Sequence, residues 1–529
     1  MSELLLSMRR LSRTVAVGAL VAGLAAFASP GTALAEKTVV VGLLAEPVTF
    51  DPTQIGDLNT SRVARRVYEG LLGLKYGTYD IEPRLAESWT VSDDQLVYTF
   101  KLKPGVKFHD GTPFNADAVK FSYERQTDPN HPAKGALTYR FANNYLGPIA
   151  AIDVIDDLTI RFTLKKPLAP FLQNLTGLTM SIISPTALAK YGDDIAQNPV
   201  GTGPYKLAEW EPGVRAVMTA NADYHGGAPR IDKVIYIPVV EPQARLSAVT
   251  TGEIDLTYDV PFDSLDALRA NPAVAVQSGL SAHVWFIALN TTLANPPFDN
   301  KLVRQAMNHA VDKQGIVRDI LQGTAEVSVA PLSSIYGDSF NPDVRKYDYD
   351  PAKAKALLAE AGYPDGFSNC EFMVPESGSG MQSPVEMGTY IQANLAAVGI
   401  NCQIKTLEWG AYLTEYRNNP QMAEMSWNAP VGDPDYVLHR LFHSGAKPPG
   451  WNAGSYSNAT VDALLDEAQT VGDPARRAQL YREAQAIIVE EAPWIFVNHG
   501  SQIVVHSAAL KDFKLSPNFD FALENATKD

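Results

Sequence analysis

Between Asn198 and Leu207 the chain reads Asn-Pro-Val-Gly-Thr-Gly-Pro-Tyr-Lys-Leu, and this cluster constrains the fold more than any other stretch. Pro199 and Pro204 fix φ and remove backbone donors, while Gly201 and Gly203 open backbone angles closed to other residues. A tight, rigid crossing is expected here, not a tether. It separates two differently patterned regions. Before it, Leu96, Tyr98, Phe100 and Leu102 alternate with Thr99, Lys101 and Lys103, as in a half-exposed strand, and Leu158 to Leu164 alternates again. After it, Lys233 to Val240 is a continuous apolar run, Gln243 to Thr251 is helical, and Gly252 stops the helix before Glu253-Ile254-Asp255-Leu256. That β-α-β unit predicts parallel strands buried on both faces.

At 529 residues the chain exceeds one compact core and is expected to divide into two or three domains. The first 35 residues stand apart. Arg9, Arg10 and Arg13 precede an uncharged run from Val15 to Ala28, and the small residues Thr32-Ala33-Leu34-Ala35 follow. This order is that of a secretory signal peptide cleaved after Ala35, since the run is shorter than the roughly 18 residues of a membrane span. Arg9-Arg10 leaves twin-arginine and general export both open. No cysteine follows the run, which excludes lipid attachment there. Three arginines and one glutamate leave with the leader, moving the net charge from −15 to −17. An acidic protein is disfavoured as a partner of nucleic acid or anionic membrane, both of which reward a basic face.

Helix starts are legible at Asn115, Asp299, Asp350-Pro351 and Asp473-Pro474, where a capping side chain or first-turn proline precedes an apolar stripe. Cys370 and Cys402 are the only cysteines, each opening a strand-like segment with a helical stretch between. Parallel, adjacent strands would join them in an oxidising compartment; otherwise they are two unpaired thiols.

The search for catalytic chemistry returns nothing specific. His439 and His443 sit four apart, as a zinc pair does, but the residues between them lack a glutamate and no third ligand is evident nearby. An extracellular metal-dependent hydrolase using them with a carboxylate is the remote alternative. His109-Asp110 directly precedes Gly111, as at a hairpin end. Gly201-Thr202-Gly203 is no phosphate loop, because Pro204 removes a donor where a helix N-terminus should offer one. Aromatic and polar residues gather instead between Trp409 and Tyr456, around Gly432-Asp433-Pro434-Asp435. Aromatic walls with carboxylate and amide anchors suit a binding cleft. The candidate ligand-binding residues are Trp285, Trp409, Trp427, Asn428, Asp433 and Tyr456, with Ser377 on the short Ser377 to Gly380 loop. No metal site and no cofactor is assigned.

These segments resemble a known family. Tyr98 to Gly111 (YTFKLKPGVKFHDG), Gly201 to Tyr205 (GTGPY), Phe298 to Ala306 (FDNKLVRQA), Tyr349 to Ala354 (YDPAKA) and Ala361 to Tyr363 (AGY) are similar to the extracytoplasmic solute-binding proteins of ABC importers, in the dipeptide, oligopeptide and nickel group. The resemblance runs from about Thr38 to Phe521. It implies an α/β, two-lobed periplasmic-binding-protein type II fold with an additional α+β domain. One discontinuous lobe would comprise residues 36–70, 200–280 and 495–529, the extra domain 71–199, and the other lobe 281–494. It implies a periplasmic, monomeric protein that captures a peptide or peptide-like solute, or else an opine, oligosaccharide or nickel complex, and delivers it to an inner-membrane permease without covalent chemistry. A chaperone that holds peptides is a further reading. Dipeptide-type members place an aspartate for the ligand ammonium at the position of Pro430 and an arginine for its carboxylate near Val385 or Glu386, and this chain has neither.

Overall fold

The computed structural model describes residues 36–529 apart from 136, 140, 141, 379, 380 and 382, so the leader and part of the Ser377 to Gly380 loop lie outside the described residues. At the Asn198 to Leu207 crossing the backbone runs against another backbone. Gly203 N–H donates to Val67 O at 2.9 Å, and a Cβ on Gly201 would lie 2.1 Å from that same oxygen. A Cβ on Gly203 would lie 2.5 Å from Arg66 O. The glycines are there for close approach. Strand Tyr205–Glu211 starts immediately beyond them.

That strand is one edge of an eleven-stranded mixed sheet. From this edge the order runs Tyr205–Glu211, Arg215–Ala220, Lys233–Pro238, Thr38–Leu43, Leu256–Tyr258, Trp494–Ser507, Val274–Leu289, Met422–Trp427, Phe367–Pro375 and Ile400–Leu407, with Ala325–Val327 paired beside Trp494–Ser507. Strands Lys233–Pro238 and Leu256–Tyr258 do flank a helix, Pro242–Thr251, which ends at Gly252 with φ +79°. They do not pair with each other: Thr38–Leu43 lies between them, parallel to both. The first strand therefore occupies the slot that the β-α-β unit leaves open, and Val39, Val41 and Leu43 are fully buried in it.

Two long antiparallel strands, Val274–Leu289 and Trp494–Ser507, stand at the centre of the strand order and pair from Val274 opposite Ser507 to Ala288 opposite Trp494. Their register shifts between Leu280 and Val284. Beyond them, Cys370 and Cys402 face each other on adjacent parallel strands with Cα atoms 4.5 Å apart and form a disulfide. The parallel pairing expected from the strand-helix-strand order is what joins them.

A separate four-stranded antiparallel sheet, Ala86–Val91, Val97–Leu102, Thr159–Leu164 and Ile149–Asp156 in spatial order, carries helix Ala116–Thr127. Tyr98, Phe100 and Leu102 face its core with Val119 and Tyr123, while Lys101 is exposed, as the alternation predicts. Asn115 caps that helix by accepting from Ala118 N–H at 3.0 Å. Asp350 and Asp473 cap theirs likewise. At the fourth start the cap is Asn300, not Asp299. Asp299 N–H is bound to Leu293 O, and Asn300 Oδ1 accepts from Leu302 N–H at 2.9 Å, so helix Lys301–Ala310 begins one residue later.

Candidate functional site

Helix Leu58–Ala64 is capped by Asp57, whose Oδ1 accepts from Thr60 N–H at 2.8 Å. Its far end leads into Arg65 and Arg66. Strand Met422–Trp427 ends at the aromatic segment, where Trp427 Nε1–H donates to Tyr436 O at 3.0 Å and the Trp427 and Trp451 ring centroids are 5.1 Å apart. The following turn is rigid for a steric reason. Gly432 has φ +70°, and a Cβ there would lie 1.7 Å from the Tyr79 ring, whose hydroxyl donates to Ala429 O. This turn and the helix end face a common space.

That space is a cavity of about 430 Å³. Its lining includes Trp409, Trp427, Tyr436 and Trp451 from the aromatic segment, Leu58, Ser61 and Arg65 from the helix and its end, and Tyr145, Leu178, Thr179, His283 and Phe519. The size is that of a small-ligand pocket, and the lining is mostly apolar with a few polar atoms. Asn428 Oδ1 and His283 Nε2 are buried there without a hydrogen-bond partner among the described residues. Burial holds the His283 imidazole down to about 4, so it is neutral near pH 7.

Of the residues singled out from the sequence, Trp409, Trp427 and Asn428 line this cavity. Trp285 is 2% exposed, lines a smaller adjoining cavity and donates its Nε1–H to Glu424 Oε1 at 2.9 Å. Burial pushes the Glu424 carboxyl well up, Trp285 opposing it only in part. Asp433 is held by Arg477 at 2.7 and 2.8 Å, and Tyr456 donates to Glu491 Oε2 at 2.5 Å; neither is in the lining of this cavity. Ser377 is exposed and is not part of the wall. Sequence reasoning passed over Arg65, Tyr145, His283 and Phe519. A run of three arginines within five residues, Arg62, Arg65 and Arg66, was the available signal for the first of these.

The catalytic candidates resolve differently. His109 Nε2 lies 2.9 Å from Gly203 O and Asp110 accepts from Thr112 and Ser184, so the two form no dyad. Gly111, at φ +84°, turns the chain there. His439 and His443 stack with ring centroids 4.3 Å apart, and their Nε2 atoms lie 3.7 and 3.3 Å from Asp466 Oδ1 on helix Ala459–Thr470. Asp466 is the third group that spacing alone could not find. However, Gly445 N–H donates to His443 Nδ1 at 3.0 Å, which places that ring's proton on Nε2, the atom a metal would need free.

Residues 80–449 match the family described as bacterial extracellular solute-binding proteins, family 5, middle region. The chain belongs to the family 5 bacterial extracellular solute-binding proteins. It is 36% identical to the glutathione-binding protein GsiB of Shigella flexneri, over 98% of this chain and 99% of that protein. The solved structure of HbpA2 from Haemophilus parasuis superposes with a TM-score of 0.85 at 31% identity, covering 93% of this chain and all of that one, 100%. The periplasmic binding protein DppA from Helicobacter pylori, in complex with the peptide STSA, gives a TM-score of 0.77 at 33% identity over 92% of this chain and 98% of that chain. The fold is thus the two-lobed α/β architecture of periplasmic binding proteins with an added α+β region. Members of this family bind small ligands and pass them to ABC-transporter permeases. No helix among the described residues is long and apolar enough to cross a membrane.

Proposed function

We propose that this protein captures a peptide or peptide-like solute in the cavity between Arg65 and Trp427 and releases it to an inner-membrane permease. One observation carries the reading: segments far apart in sequence converge on an aromatic-walled space of about 430 Å³ that holds unpartnered polar atoms. A relative that is a glutathione-binding protein, and a solved neighbour holding a peptide, support it. Trp409 and Trp427 are the walls and Asn428 a polar anchor. Residues 36–70, 200–280 and 495–529 form one lobe, 71–199 the extra domain, and 281–494 the second lobe. The long strands Val274–Leu289 and Trp494–Ser507, central in the sheet, support a hinge at this boundary. Closure then follows from contacts made only in the closed form.

The protein acts as a monomer, exported to the periplasm by the leader cleaved near Ala35, with no role in nucleic-acid binding and no covalent chemistry. The proton on His443 Nε2 supports reading the His439, His443 and Asp466 group as a polar contact, not a hydrolase centre. A thermal-shift screen with reduced glutathione, short peptides, opines, oligosaccharides and nickel complexes tests the function. At a ligand concentration 100 times Kd, binding adds about 2.7 kcal/mol of stability. A peptide-class ligand is expected to raise the melting temperature by several degrees; a response only to an opine, oligosaccharide or nickel complex would select that solute instead.

A further inference from the structure

Arg65 occupies an unusual position among its neighbours. Arg62 Nε donates to Phe519 O at 2.8 Å, with its guanidinium 3.4 Å over the Tyr258 ring. Arg66 holds Asp520 at 2.8 and 2.9 Å. Arg65 lies between them and lines the cavity, yet among the described residues its side chain makes no hydrogen bond and no ion pair. The carboxylates of a second pocket that it also borders are held by other groups, Glu69 by Tyr224 and His225, Asp520 and Glu524 by Arg66. Burial lowers the proton affinity of Arg65, Asp520 opposes that from a distance while bound to Arg66, and Arg66 itself adds repulsion. The helix dipole favours a cation at this C-terminus, but by less than burial of an unpaired charge costs. In the lining of the same cavity, Asn428 Oδ1 is buried with no hydrogen-bond partner among the described residues. Between its aromatic walls the cavity thus presents an unmatched cation together with two polar atoms that, among the described residues, have no partner, Asn428 Oδ1 and the ring nitrogen His283 Nε2.

We infer that Arg65 binds a carboxylate of the ligand, and that the ligand is an anionic, amino-acid-like solute whose N–H or ammonium group is taken by Asn428 Oδ1. The inference rests on the solute-capture reading above and names its chemical class. A guanidinium fork matches a carboxylate with two parallel hydrogen bonds. Arg65 fills the role that no basic residue takes near Val385 and Glu386, where Val385 is 39% exposed to solvent. The aspartate that dipeptide binding would place at Pro430 is likewise replaced by a neutral acceptor two residues earlier. This favours solutes whose charge balance is negative.

The test is isothermal titration of the mature protein with reduced glutathione and with Ala-Ala-Ala, each as the free acid and with its carboxylates amidated one at a time, repeated on Arg65→Gln and Arg65→Lys. For a probe that binds, amidation of one carboxylate is expected to weaken wild-type binding roughly 10- to 100-fold. Arg65→Gln should lose as much toward the free acid and bind that amide no worse than the acid, with Arg65→Lys between. The wild-type comparison of acid and amide does not depend on any variant folding, and an unchanged ligand-free melting temperature verifies Arg65→Gln. If Arg65→Gln keeps wild-type affinity, or the amide penalty persists in it, the assignment of Arg65 is overturned while solute capture stands. If the wild type binds neither probe, the peptide-like reading falls and the inference with it.

Discussion

Asp435 opens helix Asp435–Phe442 half-buried, with Oδ2 accepting from Gln469 Nε2 at 3.3 Å and Oδ1 without a partner among the described residues. Burial, and then the neighbouring Asp433 carboxylate, push its pKa up to about 6, with Arg477 opposing. The folded protein therefore holds this proton at pH values where the unfolded chain, with an ordinary carboxyl near 3.8, has lost it. Folded protein binds more protons between about pH 4 and 6, so this group's contribution to stability falls as the pH rises through that window. Asp435→Asn is expected to leave stability unchanged at pH 4 and raise it at pH 7.5 by about 1 kcal/mol, a figure discounted for partial solvent contact. Urea unfolding at the two pH values measures it, and equal effects at both would contradict the assignment. Residues such as this show where reading the sequence stops. Trp409, Trp427 and Asn428 were legible as site candidates because aromatics and amides cluster there. Asp433 and Tyr456 belonged to the same cluster, but which side of a turn a side chain takes depends on partners such as Arg477 and Glu491, which lie 44 and 35 residues away.

Local rules decided most elements: the alternating strand around Phe100, the caps at Asn115, Asp350 and Asp473, and the stop at Gly252 were all readable from period and turn chemistry. The insertion of Thr38–Leu43 between Lys233–Pro238 and Leu256–Tyr258 was not, since strand neighbours some 200 residues apart leave no mark on local pattern. The crossing glycines yield a direct prediction. Gly201→Ala places a methyl against a fixed carbonyl oxygen, 2.1 Å away before relaxation, and is expected to cost about 1–3 kcal/mol in chemical denaturation. Wild-type stability would show that the backbone there can yield. The disulfide gives a second. Cys370 and Cys402 close a segment with a sequence separation of 32, so Cys370→Ser with Cys402→Ser is expected to lower stability by about 2–4 kcal/mol, read as a lower denaturation midpoint. Equal midpoints for wild type and double variant would contradict that.

For the whole molecule, the central strands Val274–Leu289 and Trp494–Ser507 carry the chain between the two ends of the sheet, and the cavity draws on residues from Ile55 to Phe519. The cavity lining is thus assembled from segments spread over almost the full length of the chain, which explains why no short motif marks it. On the proposed reading a ligand seated there would touch the helix end at Arg65 and the strand end at Trp427 together, and such shared contact would shift the equilibrium toward a closed form. The most direct test of this account is an equilibrium fluorescence titration of the mature wild type and Trp427→Ala with reduced glutathione and short acidic peptides. The account predicts saturable one-to-one binding by the wild type and at least about 10-fold weaker binding by Trp427→Ala, as for an aromatic anchor lost from a desolvated site. Absence of saturable binding, or equal affinity in the two proteins, would contradict it.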